Sequence, residues 1–184
     1  MKPYLRLLSA VLLIFFGYCA VKQAFGGYEI GVFSALNYIN FGITIILSIT
    51  TLLLDRSYYK ADGKVYQYSF SLIALTICLV ISFKTIQHSA IDYAPTILTV
   101  ANKAGANNVW TFDFKKNGNF RLTQFELLSQ TIFYGKYQKL GDTIKITELN
   151  AGEDLNKYPK MGLIKSDTVF WENFDTMLVS NKQR

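Results

Sequence analysis

The residues that could perform acid–base chemistry in this chain are few. His88 is its single histidine, and Asp92 follows one helical turn later. A histidine beside a carboxylate can act as an oriented general base, but nucleophilic catalysis also needs a serine or cysteine within reach. The sequence gives no reason to place such a nucleophile next to His88 and Asp92. Cys19 and Cys78 lie in apolar runs, where a thiol packs as a small apolar side chain, and no metal-ligand spacing occurs. The sequence therefore predicts a protein that is not an enzyme and that holds neither a metal nor a cofactor.

Binding residues are easier to identify than catalytic ones. In a small β-domain, aromatic side chains stack on ligands, and Arg or Lys binds anions. The candidates after Pro95 are Trp110, Arg121, Tyr134, Lys136, Tyr137 and Trp171. In the alternative interpretation, the two tryptophans are core residues and the two cations are solvated. The predicted partner is a small anionic ligand or a protein, and no polymeric nucleic acid is expected.

A polar stripe interrupts an apolar segment closer to the N-terminus. It consists of Asn37, Asn40, Thr44, Ser48 and Thr51. On a helix these positions fall within an arc of roughly 80°. Such a stripe can pack one span against others through hydrogen bonds of roughly 1 kcal/mol each, or it can face other copies of the protein or a wet passage. On the second interpretation, the span that carries the stripe is the predicted interface of a homo-oligomer.

Three apolar runs must position these residues. They cover residues 5–21, 32–54 and 66–86, and each approaches the roughly 20 residues that cross the hydrocarbon of a bilayer. The first run could instead be a signal peptide, but the residues after it form a poor cleavage site, so we interpret it as a true span. Residues 1–90 are therefore predicted to be a membrane domain of three transmembrane helices, in a multi-pass protein of a bacterial inner membrane.

The orientation in the membrane depends on Lys and Arg in the short connections. The N-terminus carries Lys2 and Arg6, the first connection carries Lys22, and the second carries Arg56, Lys60 and Lys64. With three spans, this distribution favours a soluble domain outside the cytoplasm.

Residues 95–184 show a different pattern, made of short alternating segments separated by turns. The segment VWTFDFK alternates aromatic and polar residues and is followed by Asn117–Gly118, which is typical of a hairpin turn. About eight such strands occur in a meander. A small eight-stranded antiparallel β-barrel is the predicted fold because closure removes exposed edges, and a two-layer sandwich is the alternative.

Two resemblances follow from these patterns. The order W-x-F-x-F-x-x-N-G-x-F, Y-G-K-Y and G-D-T-I-x-I, within residues 108–146, resembles lipocalin-like domains. Several spans followed by a minimal barrel are similar to the transmembrane β-barrel effectors of bacterial cyclic-oligonucleotide anti-phage defence, the CBASS and related systems. This resemblance implies a cytoplasmic barrel that binds a cyclic oligonucleotide and spans that damage the inner membrane.

Two functions are therefore expected, and they belong to different classes. The first is a membrane-embedded sensor or effector whose barrel binds a signal and whose helices oligomerise or open. The alternative is an envelope-facing binding or immunity protein, in which the helices serve only as an anchor. The side of the membrane that the barrel faces distinguishes them.

Overall fold

A computed structural model describes residues 3–26, 28–31, 34–102, 109–126, 129–150, 158–172 and 176–182. The chain forms two compact units. One consists of Met1–Ala24 and Ser34–Thr85, and the other of Phe25–Phe33 and Ile86–Arg184. The segment between the first two helices therefore groups with the C-terminal half, which the sequence did not predict.

The first unit is helical. Its helices are α1 (Pro3–Phe25), α2 (Ser34–Asp62) and α3 (Ser69–Asp92), and a 3₁₀ turn at Val65–Tyr68 leads into α3. The last residue of α1 and the end of α3 from Ile86 onward belong to the second unit. All three are long and apolar enough to cross a membrane, which confirms the three predicted spans by length and composition. Each helix extends beyond its apolar run, and α3 continues through polar residues to Asp92 before Pro95 prevents further helix.

Small and polar side chains lie between the helices of this unit. A Cβ built on Gly17 of α1 would come within 2.7 Å of Ile77 of α3, so glycine permits this contact. Ser9 Oγ and Thr51 Oγ1 are 2.8 Å apart between α1 and α2. Close approach through small residues, together with interhelical hydrogen bonds, is the usual way in which apolar helices associate without a hydrophobic driving force.

The second unit contains a closed, eight-stranded antiparallel β-barrel, which confirms the predicted fold over the sandwich alternative. Each strand from β2 to β8 pairs with the next strand in the sequence, and β9 pairs with β2. The strands are β2 (Thr96–Asn102), β3 (Val109–Lys115), β4 (Asn119–Phe125), β5 (Ser129–Leu140), β6 (Thr143–Leu149), β7 (Met161–Lys165), β8 (Thr168–Trp171) and β9 (Met177–Lys182). The expected turn at Asn117–Gly118 is present, with Gly118 at a φ of 79°.

The barrel is filled by its own side chains. Phe112, Phe114, Phe120 and Leu122 are completely buried, and they belong to one continuous apolar core. Gly135 makes room for Phe120, because a Cβ at this position would lie 2.5 Å from the ring. A small cavity of about 60 Å³ lies next to Tyr137 and Ile144. The described core is thus made largely of packed side chains.

One further strand joins the barrel from outside. Strand β1 (Tyr28–Gly31), in the connection between α1 and α2, pairs antiparallel with residues Ser129–Ile132 of β5. The remainder of β5, from Gly135 to Leu140, pairs with β6 instead. Strand β5 is long enough, at 12 residues, to serve both neighbours. This ninth strand covers backbone groups of β5 that β6 does not reach.

Candidate functional site

The C-terminal end of α3 lies on the outer face of β4 and β5. The His88 ring stacks on the Tyr134 ring, with centroids 4.2 Å apart and planes 18° apart. The Tyr134 hydroxyl donates a hydrogen bond to Asp92 Oδ2 at 2.8 Å, and Arg121 Nη1 lies 3.4 Å from Asp92 Oδ1. Arg121 and Tyr134 are direct cross-strand neighbours. These four residues, His88, Asp92, Arg121 and Tyr134, are called the junction cluster below.

A buried lysine fixes the end of the same helix. Lys115 is 5% exposed, and its ammonium donates to the backbone carbonyl of Asp92 at 3.2 Å and to Thr96 Oγ1 at 3.0 Å. The carbonyl end of a helix carries partial negative charge, so a cation is stabilised there. The Tyr137 hydroxyl donates to the carbonyl of Lys115 from inside the barrel, and burial raises the pKa of Tyr137. The end of α3 is thus tied to the barrel wall and, through it, to the core.

Arg121 is incompletely satisfied in this arrangement. Its side chain is 29% exposed, and its Nε is buried without a hydrogen-bond partner among the described residues. The separation of 3.4 Å from Asp92 is long for a charge-assisted hydrogen bond, which is typically about 2.7–2.9 Å. Asp113 lies opposite Arg121 in the register, but it accepts a bond from Thr99 Oγ1 at 2.8 Å. Arg121 therefore retains donors that an anion could use.

The six predicted ligand residues do not converge on one site. Arg121, Tyr134 and Lys136 lie on the outer face of β4 and β5, and Lys136 forms an exposed ion pair with Glu148 at 2.9 Å. The remaining three are aromatic residues of the inner face and pack in or against the core: Trp110, Tyr137 and Trp171. The outer group remains a candidate binding surface, and the inner group fills the barrel.

The helical unit contains a second polar cluster. Asp55 of α2 is completely buried, and its Oδ1 accepts a bond from Arg6 Nε of α1 at 2.8 Å. Its Oδ2 accepts two bonds of 2.8 Å from Ser71, one from the backbone N–H and one from the hydroxyl. Arg6 also donates to the side chain and to the backbone carbonyl of Gln67, each at 2.6 Å. This network links all three helices and leaves the buried charge paired.

The polar stripe of α2 runs toward this network. Thr51 and Thr44 are buried, and Thr51 contacts Ser9 of α1. Thr44 and Ser48 donate to backbone carbonyls one turn earlier, at Asn40 and Thr44 respectively. Asn40 is half-buried, while the side chain of Asn37 lies outside the described residues. The placement of Thr51 between helices of one chain favours packing at this end of the stripe.

The sequence interpretation missed the most strongly paired residues of both units. Asp55 continues the stripe with the same helical spacing, but it was counted as part of the connection after the span. Lys115 is the last residue of the segment VWTFDFK, and the sequence assigns it no role. The sequence presents His88 as a polar end of the third span or, together with Asp92, as an acid–base pair, and the structure engages both residues with the barrel wall.

Among the described residues, no group of three His, Cys, Asp or Glu side chains is arranged to hold a metal ion. No protein-family model matches the chain, and neither a curated protein nor a solved structure matches it.

Proposed function

We propose that this protein is a membrane-embedded sensor or effector, in which the barrel binds a small anionic signal and the helices respond by assembling or by opening the membrane. The observation that carries this proposal is the junction cluster. Helix α3 is continuous from Ser69 to Asp92, and its last turn is bonded to Arg121 and Tyr134 on the barrel wall. A change at this wall can therefore act directly on a helix that is apolar enough to span a membrane.

Arg121 supplies a way for an anion to produce such a change. A phosphate group accepts paired hydrogen bonds from a guanidinium more strongly than a single distant carboxylate oxygen does. A ligand bound to Arg121 would compete with Asp92 and release one of the bonds that hold the end of α3. Lys136 lies diagonally from Arg121 on the same face and can supply a second cation, because exposed ion pairs such as Lys136–Glu148 contribute little.

The resemblance to cyclic-oligonucleotide effectors agrees with this chemistry, because each phosphodiester of such a ligand carries one negative charge. The filled barrel supports an outer binding surface over an internal cavity. On this proposal the signal is a cyclic oligonucleotide and the output is damage to the inner membrane.

The test is dye release from vesicles that contain the full chain, with a panel of cyclic di- and trinucleotides as probes. At least one probe should bind and release dye. Arg121→Ala should weaken binding, whereas Lys145→Ala, which removes an exposed cation from β6, serves as the control. Tyr134→Phe keeps the ring against His88 but removes the bond to Asp92, so it should alter release more than binding. A parent that binds none of the probes would contradict the proposal.

The distribution of Lys and Arg favours the second candidate, an envelope-facing binding or immunity protein. Arg56 and Lys60, in the last part of α2, and Lys64, just after it, give the α2–α3 end three cations, whereas Lys22 in the last turn of α1 is the one Lys or Arg near the α1–α2 connection in the sequence. In this case the barrel lies outside the cytoplasm and the helices are an anchor. Reporters fused after Arg184 decide between the two: a signal confined to the cytoplasm supports the effector, and a signal confined to the outside supports the second candidate.

A further inference from the structure

The outer face of β7, β8 and β9 is apolar. Its large apolar side chains are 40–46% exposed, and they are Met161, Leu163, Phe170 and Leu178. These four residues are called the β7–β9 patch. The alternate residues of the same strands, among them Ile164, Val169, Trp171 and Met177, are buried in the core. The central part of these strands is thus apolar on both faces, with Lys165 and Thr168 at one end of the outer face.

Strands of this kind are unusual in a barrel that faces water. An antiparallel strand with one solvated face alternates apolar and polar residues, whereas a strand that is apolar on both faces is usually covered on both. The opposite wall of this barrel carries polar and charged residues on its outer face, because the outward residues of β3 and β4 include Asp113, Asn119 and Arg121. The apolar outer surface is therefore a local property of β7–β9.

The patch is continuous. Leu163 and Phe170 are direct cross-strand partners, and Met161 lies two residues before Leu163 on the same face of β7. Leu178 lies opposite Thr168, diagonal to Phe170, where large side chains still reach one another. Exposed apolar surfaces of this kind mark sites where a protein meets a partner.

The charges at the two ends of the patch indicate a second copy of this chain as the partner. Lys165 lies at one end and contacts Phe170, with its Nζ 6.0 Å from the ring centre. Glu172 lies at the other end, beside Met161, to whose carbonyl it donates a backbone bond. Neither side chain forms an ion pair within the part of the chain that the structure describes. Two copies can be placed face to face by a two-fold axis that lies in the plane of the patch and is perpendicular to the line from Lys165 to Glu172. This arrangement places Lys165 of each copy over Glu172 of the other.

We propose that two copies of this protein associate through the β7–β9 patch. The helices of all copies enter one membrane in the same direction, so their barrels are confined to one plane and encounter each other at high effective concentration. Strands β4 and β5, which carry the junction cluster, form the wall opposite to the patch and leave it open. This interface requires no ligand, and it differs from the oligomer contact that the sequence predicts for the second span.

The experiment measures self-association of the full chain in lipid vesicles by energy transfer between labelled copies, at several protein-to-lipid ratios and without added ligand. Phe170→Ser should weaken association at least about tenfold, because a central aromatic residue of an interface contributes most of its energy. Phe125→Ser is the matched control, since Phe125 is similarly exposed, at 43%, but lies outside the patch. Circular dichroism verifies that both variants fold. Equal association of these two variants, or a parent that remains monomeric at every ratio, would overturn the proposal.

Charge exchange separates a second copy from other occupants. Lys165→Glu and Glu172→Lys should each weaken association about three- to tenfold, and the double exchange should restore it, because the pair is rebuilt with reversed signs. A double variant that associates more weakly than either single variant contradicts the two-fold arrangement. The fluorescence of the Phe170→Trp variant is measured at one copy per lipid nanodisc that contains brominated lipid. If the patch lay on the bilayer, the brominated lipid would quench this fluorescence, and that result would also overturn the proposal.

Discussion

Replacement of Arg6 by leucine should destabilise the helical unit more than replacement of Arg6 and Asp55 together. Asp55 is completely buried, and Arg6 is its only cationic partner among the described residues. Arg6→Leu leaves this carboxylate buried without a counter-charge. Loss of one partner from a buried pair costs about 3–5 kcal/mol, because the remaining charge keeps its desolvation penalty.

The double variant Arg6→Leu with Asp55→Leu removes both charges. Four neutral groups then lose partners: the side-chain and backbone oxygens of Gln67 no longer accept from Arg6, and the N–H and hydroxyl of Ser71 no longer donate to Asp55. The two Gln67 oxygens also lose Arg6 in the single variant, so the double variant differs from it by exchanging an unpaired buried carboxylate for two neutral Ser71 donors, and contacts of the second leucine with apolar surroundings offset part of their loss. We expect the double variant to be less destabilised than Arg6→Leu by about 1–2 kcal/mol, so the coupling between the two positions should be at least about 2 kcal/mol.

The assay is unfolding of the full chain in micelles by increasing amounts of sodium dodecyl sulfate, followed by helical circular dichroism. A double-mutant cycle over the two positions gives the coupling free energy. Arg56→Leu is the control, because Arg56 is adjacent to Asp55 in sequence but exposed. If the two single changes add up to the effect of the double change, the pair does not hold the helices together and the reasoning is refuted.

Two further predictions concern the barrel. Burial raises the pKa of Tyr137 above its usual value of 10.0, so the folded state favours the neutral phenol. Its contribution to stability should therefore be present at neutral pH and be lost as the pH rises above about 10. Tyr137→Phe should remove this loss of stability at alkaline pH, and it should cost about 1 kcal/mol at neutral pH because the hydrogen bond to the Lys115 carbonyl is lost. Thermal melts of parent and variant at pH 8 and 11 measure both effects. If the variant loses as much stability as the parent between these pH values, the assignment to Tyr137 is refuted. Gly135→Ala should lower the free energy of unfolding by about 1–3 kcal/mol, because its Cβ would clash with the Glu148 carbonyl oxygen. A melting temperature equal to that of the parent would exclude this close approach.

The regular elements were predictable because their signals are local. The segment VWTFDFK became β3 with the expected bounds, and TIKITEL became β6. Alternation fixes which residues face inward, and the Asn117–Gly118 turn fixes the β3–β4 hairpin. The three helices follow from apolar length alone.

Strand β1 could not be predicted in the same way. Its four residues follow two glycines and end with a third, and four residues are too few to show a period. Its pairing with β5 depends on a partner about 100 residues later in the chain, which composition does not reveal. Long-range pairing of this kind is a property of the folded unit.

The candidate sites were harder to predict because they depend on register across elements. Alternation places Arg121 and Tyr134 on outward faces, but only the pairing of β4 with β5 makes them neighbours. The contact of Arg6 with Asp55 requires three helices to meet at one level, whereas the sequence shows only two separate charges at the ends of apolar runs.

The pairing of β1 with β5 has a consequence for how this protein is made. Strand β1 is synthesised before α2 and α3, and it cannot pair with β5 until about 100 further residues have been made. Two apolar helices, α2 and α3, separate these strands in sequence. If both cross the bilayer, β1 and β5 emerge on the same side and can pair, and if one fails to insert, the bilayer keeps the two strands apart. The nine-stranded sheet can therefore be completed only when the number of membrane crossings between β1 and β5 is even. A chain with a failed crossing retains unpaired backbone groups on β5, which a cellular protease can recognise.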